Sequence, residues 1–449
     1  MDVVMGLLGC GTVGAGVVEL TRRRAERIEA MTGTRPVIKK ILVRDTTKPR
    51  GVHLHGEVLT DRPEDVLDDP AVGLVIETIG GIEPARSFIL RAIAAGKHVV
   101  TANKDLMALH GEEILDAAES AHVEVFYEAA VGGAIPLIRP LKGCLTSNEI
   151  TDLKGIINGT TNYIVSKMTE TGADFEAVLA EAQELGYAES DPTSDVDGLD
   201  AARKLTILAS IAFHTRVNLA DVSVRGIRSI TAADVAYAKE LNCVIKLLAV
   251  GRERGGVLQL EVRPSLVPLA HPLAAVSDAF NALFVRGDAA GDLMFFGRGA
   301  GCMPTASAVV GDIIEVLQNM RMGISETVGA TRLPRKLVAT NQGPEGRYYI
   351  RLTAKDRPGV FAQVAGVFGD AGVSMESVLQ RRLADQDAQI VVVTHNVRQA
   401  ELTAAVDRLA LLEAVSSVDN VLPVEEIDAD GPVMDDIMDD LAAPAASLS

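Results

Sequence analysis

DVVMGLLGCGTVGAGVVEL, residues 2–20, decides how the chain must be read. Val3 to Leu8 is an apolar run of strand length, and Val17, Val18 and Leu20 carry an apolar pattern into a helix. Between them Gly9, Cys10, Gly11, Thr12, Val13 and Gly14 fit the spacing G-x-G-x-x-G. Gly9 permits a tight turn. Gly11 lets backbone N–H groups approach a pyrophosphate, and Gly14 lets the helix pack close to its strand. The diphosphate would sit on the helix N-terminus, where the dipole and the free N–H groups favour an anion. A glycine turn with no ligand has the same spacing. The place of this one, directly after a strand and before a helix, favours a dinucleotide held by Gly9, Gly11, Thr12, Val13 and Gly14. Cysteine is a less usual occupant of such a turn, and Cys10 is small enough for it.

Outward from this turn the pattern repeats. RPVIKKILVRD (35–45), GLVIETIGG (73–81), HVVTAN (98–103) and VEVFYEAAVGG (123–133) read as strands, and EPARSFILRAIAAG (83–96) and GEEILDAAESA (111–121) as helices. Such alternation implies a parallel sheet covered on both faces, a Rossmann-type domain over residues 1–137, completed by the segment near 300–320. Arg44 and Asp45 fall at the carboxyl end of the second strand. There an acidic residue binds ribose hydroxyls and an arginine accepts a 2′-phosphate, so NADP(H) is expected and NAD(H) stays open. Thr78, Lys104 and Glu128 lie on the same edge, where ligands bind. For Lys104 the ordinary alternative is a surface charge.

Length and composition narrow the classes. A chain of 449 residues implies two or three domains. The net charge of −18 argues against non-specific nucleic-acid binding. No apolar run reaches membrane-span length, and the stretch at 3–18 is broken by glycines and lacks a basic leader. Cys10, Cys144, Cys243 and Cys302 form no CxxC pair and no zinc spacing, as expected of a reduced, cytoplasmic protein.

In the middle, NEITDLKGIINGTTNYIVSKM (148–168) reads as a strand, a polar turn and a helix. GYAESDPTSDVDGLDAARKLTILASIAF (186–213) follows. Here Asp197 is expected as N-cap of a helix from Leu199 to about Phe213, with Asp200 in its first turn. From Leu205 onward the helix is apolar or small on every side and should be buried. Lys204 lies four residues after Asp200, so the two share a face. Desolvation lowers a lysine pKa and a carboxylate opposes that, which makes a proton donor or acceptor. An exposed Asp–Lys pair is the plainer alternative. Glu189, Asp191, Asp195 and Asp197 give more negative charge than capping needs, and would suit a substrate bearing an ammonium group.

At this point a family resemblance emerges. Ala182-x3-Gly186-Tyr187-Ala188-x2-Asp191-Pro192-x2-Asp195-Val196-x-Gly198-x-Asp200-x3-Lys204 matches the signature of the homoserine dehydrogenases. GLLGCGTVG, TANK, EAAVGGAIP, INGTTNYI and GAGCMPTASAVVGDI resemble that family in the same order, over residues 3 to about 320. The resemblance implies NAD(P)-dependent interconversion of L-aspartate 4-semialdehyde and L-homoserine, toward threonine, methionine and isoleucine. It implies Lys204 as proton donor, Asp200 as its positioning partner, and Lys104 beside the nicotinamide. Glu189 would bind the substrate ammonium, with Gly159, Thr160, Tyr187 and Asp195 around the pocket. Glu128, Val131, Gly133 and Ile135 would hold a monovalent cation such as sodium through backbone carbonyls. Gly301 in GRGAG (297–301) would close on the cofactor. Residues 138–319 would form an α+β catalytic and dimerisation domain, giving a homodimer or homotetramer.

After a linker over 320–346, residues 347–425 read β (348–354), α (358–371), β (373–382), β (387–395), α (398–411), β (415–422). That order is the ferredoxin-like plan. It resembles an ACT domain, with Asp356-Arg357-Pro358-Gly359-Val360 at its first turn, and implies an amino-acid effector near Gly359 and Asn396 or across a domain pair. L-threonine follows from the pathway alone. The acidic, small-residue tail 426–449 is expected to be disordered. A 2-hydroxy-acid dehydrogenase would need a histidine as acid, and neither His214 nor His271 has a suitable setting. A silent sensor would not need Asp200 and Lys204.

Overall fold

The computed structural model describes residues 2–324, 335–339, 345–383 and 386–426. The chain opens with β1 (Asp2–Leu8), α1 (Thr12–Thr32), β2 (Arg35–Leu42), β3 (Val58–Thr60) and α2 (Glu64–Leu67). It continues through β4 (Val72–Glu77), α3 (Ala85–Ala94), β5 (His98–Thr101), α4 (Lys104–Ala121) and β6 (Val125–Phe126). The six strands lie in the order β3-β2-β1-β4-β5-β6, and every pairing is parallel. Order reverses beside β1, so the glycine turn after β1 and the turn after β4 face one crevice. The stretch read as a strand over 123–133 pairs only at Val125–Phe126. Gly132 and Gly133 take positive φ there, and the Glu128 carboxylate gathers the N–H groups of Leu137, Ile138 and Arg139, which bends the chain away from the sheet.

The second domain begins with β7 (Ile150–Ile156), α5 (Gly159–Thr171), α6 (Phe175–Glu184), α7 (Thr193–Val196) and α8 (Leu199–Ala212). Then come β8 (Ser223–Val224), α9 (Ala232–Glu240), β9 (Cys243–Arg254), β10 (Val257–Pro268), β11 (Phe280–Gly287) and β12 (Gly291–Arg298). Its main strands run β12-β11-β7-β9-β10, all antiparallel, with Met294 and Phe296 exposed on the edge strand β12. α8 is buried along one side, from Ala201 through Ala212, as its all-round apolar pattern requires.

The next helix, α10 (Cys302–Met322), returns to the first domain. Ala306, Val309, Val310, Ile313, Val316 and Leu317 share a core with Val17 and Val18 of α1 and Ile41 of β2. The helix runs three residues into the stretch read as a linker. Of that stretch, residues 335–339 add a short strand, β13 (Leu337–Val338), to β10. The rest of the expected linker lies mostly outside the described residues, as does the tail from 427 onward.

The third domain is β14 (Arg347–Lys355), α11 (Val360–Asp370), β15 (Met375–Arg382), β16 (Asp387–Thr394), α12 (Gln399–Ala410) and β17 (Val415–Val424). Strand order β17-β14-β16-β15 with antiparallel pairing is the ferredoxin-like arrangement read from sequence. This sheet is continuous with the second domain. Val424 pairs with Leu266 of β10, and the Glu425 N–H donates to Leu266 O at 2.8 Å. Among the described residues no helix is long and apolar enough to cross a membrane.

Candidate active site

The glycine turn has the shape a dinucleotide needs. Gly9 takes φ 93°, and a Cβ there would lie 2.9 Å from Thr78 O. A side chain on Gly14 would collide with Gly9 O. Around Gly11, by contrast, nothing lies within 4 Å of where a Cβ would be, so this face is open. Gly11 is the N-cap of α1 and supplies no side chain to its free N–H groups. Gly301 does the same for α10, and the Cys302 Sγ donates to Thr12 O at 3.0 Å, so two uncapped helix starts lie side by side. Their dipoles and unpaired N–H groups suit a diphosphate. Thr78 locks the turn by donating its hydroxyl to Gly9 O at 2.9 Å.

At the end of β2, Arg44 is exposed and Asp45 is occupied. The Asp45 carboxylate accepts from the Thr47 hydroxyl at 2.7 Å and the Thr47 N–H at 2.8 Å, and these bonds lower its pKa. Arg50 donates to Asp45 O.

On the same edge, two asparagines place two helices. Asn103 caps α4 by accepting from the Leu106 N–H at 3.0 Å, and its amide donates to Gly81 O at 2.7 Å. Lys104 therefore starts α4 at the mouth of the crevice. Asn158 caps α5, accepting from the Thr161 N–H at 2.8 Å. Its amide nitrogen donates to Asp195 Oδ1 at 2.7 Å and to Asp200 Oδ2 at 2.9 Å. Buried Glu77 fixes the turn after β4 by accepting from the Ile79 and Gly80 N–H groups and from Thr101. Sequence reading missed Glu77 and Asn103, and took Asn158 only as part of a polar turn. An Asn between a strand and a periodic helix is the signal that could have found the two caps.

Asp200 is the centre of the cluster. The Lys204 ammonium donates to Asp200 Oδ2 at 2.6 Å and to Ile157 O at 2.8 Å. The Lys104 ammonium lies 2.6 Å from Asp200 Oδ1. Asp200 is 2% exposed. Burial alone would raise its pKa, but Lys204 and Lys104 outweigh that and hold it well below the usual carboxylate range. Burial likewise works against the charge on Lys104, and the Asp200 charge and hydrogen bond overcome it, so its pKa is raised. Lys104 is thereby held as an ammonium rather than left as a free surface charge.

One expected cap is corrected. Gly198, in the left-handed region at φ 83°, is the N-cap of α8, and no side chain caps it. Asp197 instead ends α7 and pairs with Arg228 at 2.5 Å. The sharp α7–α8 turn needs a positive φ at residue 198, which removes Asp197 from capping distance.

Other expected residues gather around the cluster. Asp195 joins it through Asn158. The Thr160 hydroxyl donates to Tyr187 O at 2.8 Å, and the Tyr187 ring stacks on Tyr163 with centroids 4.6 Å apart. Gly159 starts α5 next to Asn158. Glu189 is exposed.

For the expected cation, the Glu128 side chain is already used by the 137–139 turn. The Glu128 N–H donates to Asp312 Oδ2 at 2.9 Å, and burial pushes the Asp312 carboxyl up to about 8. Backbone carbonyls are what the turn has to offer. The Ala134 N–H donates to Arg298 O at 3.2 Å, and Gly133 packs on Gly299, so this turn touches the later glycine segment. No group of three or more His, Cys, Asp or Glu side chains among the described residues could hold a metal ion. Carbonyl ligands suit a hard monovalent cation.

Comparison with known proteins places the whole chain. A family model described as homoserine dehydrogenase matches residues 136–314, and one described as homoserine dehydrogenase, NAD binding domain, matches 9–128. An ACT domain model matches 348–412. Homoserine dehydrogenase from Synechocystis is 47% identical over 94% of this chain and 100% of its own. The Bacillus subtilis protein of that name is 43% identical over 94% of this chain and 98% of its own. A solved homoserine dehydrogenase from Thiobacillus denitrificans superposes with TM-score 0.90 at 41% identity, covering 95% of this chain and 99% of that one.

Proposed function

The chain belongs to the homoserine dehydrogenase family of oxidoreductases, and on that premise we propose that it reversibly reduces L-aspartate 4-semialdehyde to L-homoserine with NADP(H), in the cytoplasm, on the route to threonine, methionine and isoleucine. The Lys204–Asp200–Lys104 cluster carries the reading. Reduction of an aldehyde needs a hydride and a proton, and the bound nicotinamide supplies the hydride. Lys204 gives its proton to the developing alkoxide. Asp200 aims that ammonium, while the Ile157 carbonyl fixes a second of its N–H bonds. Lys104, held on the other oxygen of Asp200, presents a second cation to the substrate oxygen or carboxylate. Exposed Glu189 is free to meet the substrate ammonium. NADP is favoured because Asp45 is turned onto Thr47 and Arg44 is left for a 2′-phosphate. Sodium at the Glu128, Val131, Gly133 and Ile135 carbonyls would brace the turn against the Gly299 segment.

Lys204→Ala lowers turnover by roughly 10² to 10⁴ while NADPH binding, followed by fluorescence, persists. Near-normal turnover in that variant removes Lys204 from the chemistry. The ACT domain adds feedback control by L-threonine. Threonine slows the full chain, and Asn396→Ala weakens that inhibition. A parent enzyme indifferent to threonine refutes this part.

A further inference from the structure

Asn281 is the second residue of β11 and is 1% exposed, yet its Oδ1 has no hydrogen-bond partner. Proteins seldom leave a buried amide oxygen unpaired, because its hydration is lost without replacement. A loose backbone does not explain it. Asn162 Nδ2 donates to the carbonyls of Val276, Asp278 and Phe280 at 3.2, 2.9 and 3.0 Å. Lys246 Nζ donates to Val276 O at 2.6 Å and to Asn162 Oδ1 at 3.0 Å. The loop entering β11 is therefore pinned to α5, and Asn281 itself pairs in the sheet opposite Gly297. Its main chain is held against β12 while its buried side-chain oxygen has no partner.

Two glycines flank the amide. A Cβ on Gly159 would lie 3.5 Å from Oδ1, and any side chain at Gly299 would collide with the amide. Gly159 opens α5 beside Asn158, the residue bonded to Asp200. Gly299 packs on Gly133 and leads to Gly301 at the start of α10. Asn281 thus sits where the Lys204 cluster meets the segment that closes on the cofactor. The start of α5 adds free N–H groups to the same corner.

We propose that Asn281 is a ligand-binding residue of the active site, its Oδ1 accepting a hydrogen bond from an N–H donor of the bound ligands. The nicotinamide carboxamide and the substrate α-ammonium share that chemistry. This role depends on the reaction occurring at the Lys204 cluster, as proposed above.

The test uses Asn281→Ala and Asn281→Leu in the full chain. Thermal unfolding is followed with and without NADPH, NADPH affinity by fluorescence, and KM for homoserine by absorbance. Removing a buried amide whose oxygen is unpaired leaves the ligand-free melting temperature unchanged or raises it. One ligand, however, binds roughly tenfold more weakly, the worth of one lost hydrogen bond. If NADPH is that ligand, its stabilising shift shrinks. The 3-acetylpyridine analogue, which lacks the carboxamide N–H, then binds parent and variant alike. If homoserine is that ligand, only its KM rises, and Asn281→Asp restores it. Melting temperatures that fall in both variants, with NADPH affinity and KM within about twofold of the parent, make the amide structural and overturn the proposal. Failure of both variants to fold overturns it equally, as does no change in any of the three measurements. Should Lys204→Ala keep its turnover while Asn281 variants lose NADPH, the proton-donor reading falls and the cofactor contact stands.

Discussion

Asp200 and Glu425 are both carboxylates taken out of water and surrounded by cations, but the cations around them face different ways. Asp200 holds Lys204 and Lys104, whose side chains are 12% and 38% exposed, so protonated amines reach the crevice. Glu425 takes Lys154 and Arg252 at 3.0 Å on Oε2 and Arg263 at 3.1 Å on Oε1. Burial opposes its ionisation, and the three cations, Lys154 foremost, hold its pKa far down. Lys154 is 4% exposed there, while Arg252 and Arg263 are 18% and 13% exposed, and all three converge on the one carboxylate. The same electrostatic device delivers protons in one place and fastens β17 of the third domain to the sheet of the second in the other. A nearby latch repeats the second use. Asp234 of α9 accepts from Arg351 Nε at 2.7 Å, Tyr349 at 3.1 Å and Asn420 at 3.1 Å.

Neutralising each carboxylate should therefore break different things. Asp200→Asn removes the charge that keeps Lys204 and Lys104 aimed, and turnover should fall by roughly 10² to 10⁴. Its cost in stability is the lesser one, since Lys104 has solvent to turn to. Steady-state assays and urea unfolding of the same preparation decide this. A variant that keeps its turnover but unfolds early would make Asp200 a latch like Glu425.

How much of this was legible in the sequence follows from how far apart the partners lie. The Gly9–Gly14 turn and the Asp200–Lys204 pair are local, and spacing alone puts each on one face or one turn. The third domain was legible because its strands and helices alternate in short, clearly bounded runs. The meeting of Lys104 with Asp200 is not local. It needs the crossover from β5 to α4 and the packing of α4 on α8, which no periodicity records. Asn281 was invisible for the same reason, because its glycine neighbours come from two distant turns. Glu425 was placed only as the last residue of the third domain, beside an acidic run whose composition reads as a solvated tail, and nothing local marks it as a latch. Its partner cations lie on β7, β9 and β10, and only the folded sheet brings them to it. Asp197 failed in the other direction, because a capping residue one step early is displaced once Gly198 takes the left-handed turn.

Glu425→Gln should leave turnover of the folded enzyme largely intact and lower its stability by about 3–5 kcal/mol at neutral pH, because three cations then face an uncharged amide. The pH dependence of that loss is the finer test. Glu425 has a native pKa below its ordinary value of 4.5, so its contribution is fully present above that value and is lost as pH falls toward the native one. Below pH 4.5 the unfolded chain takes up a proton that the native chain does not. Parent stability should then decline more steeply than that of the variant, by about 1.4 kcal/mol per pH unit for this one group. The gap between the two should narrow as acid is added, in urea unfolding repeated at stepped pH. A gap of constant width would mean that the ion cluster does not fasten the two domains, and that apolar packing around Leu266 and Val424 holds the seam instead.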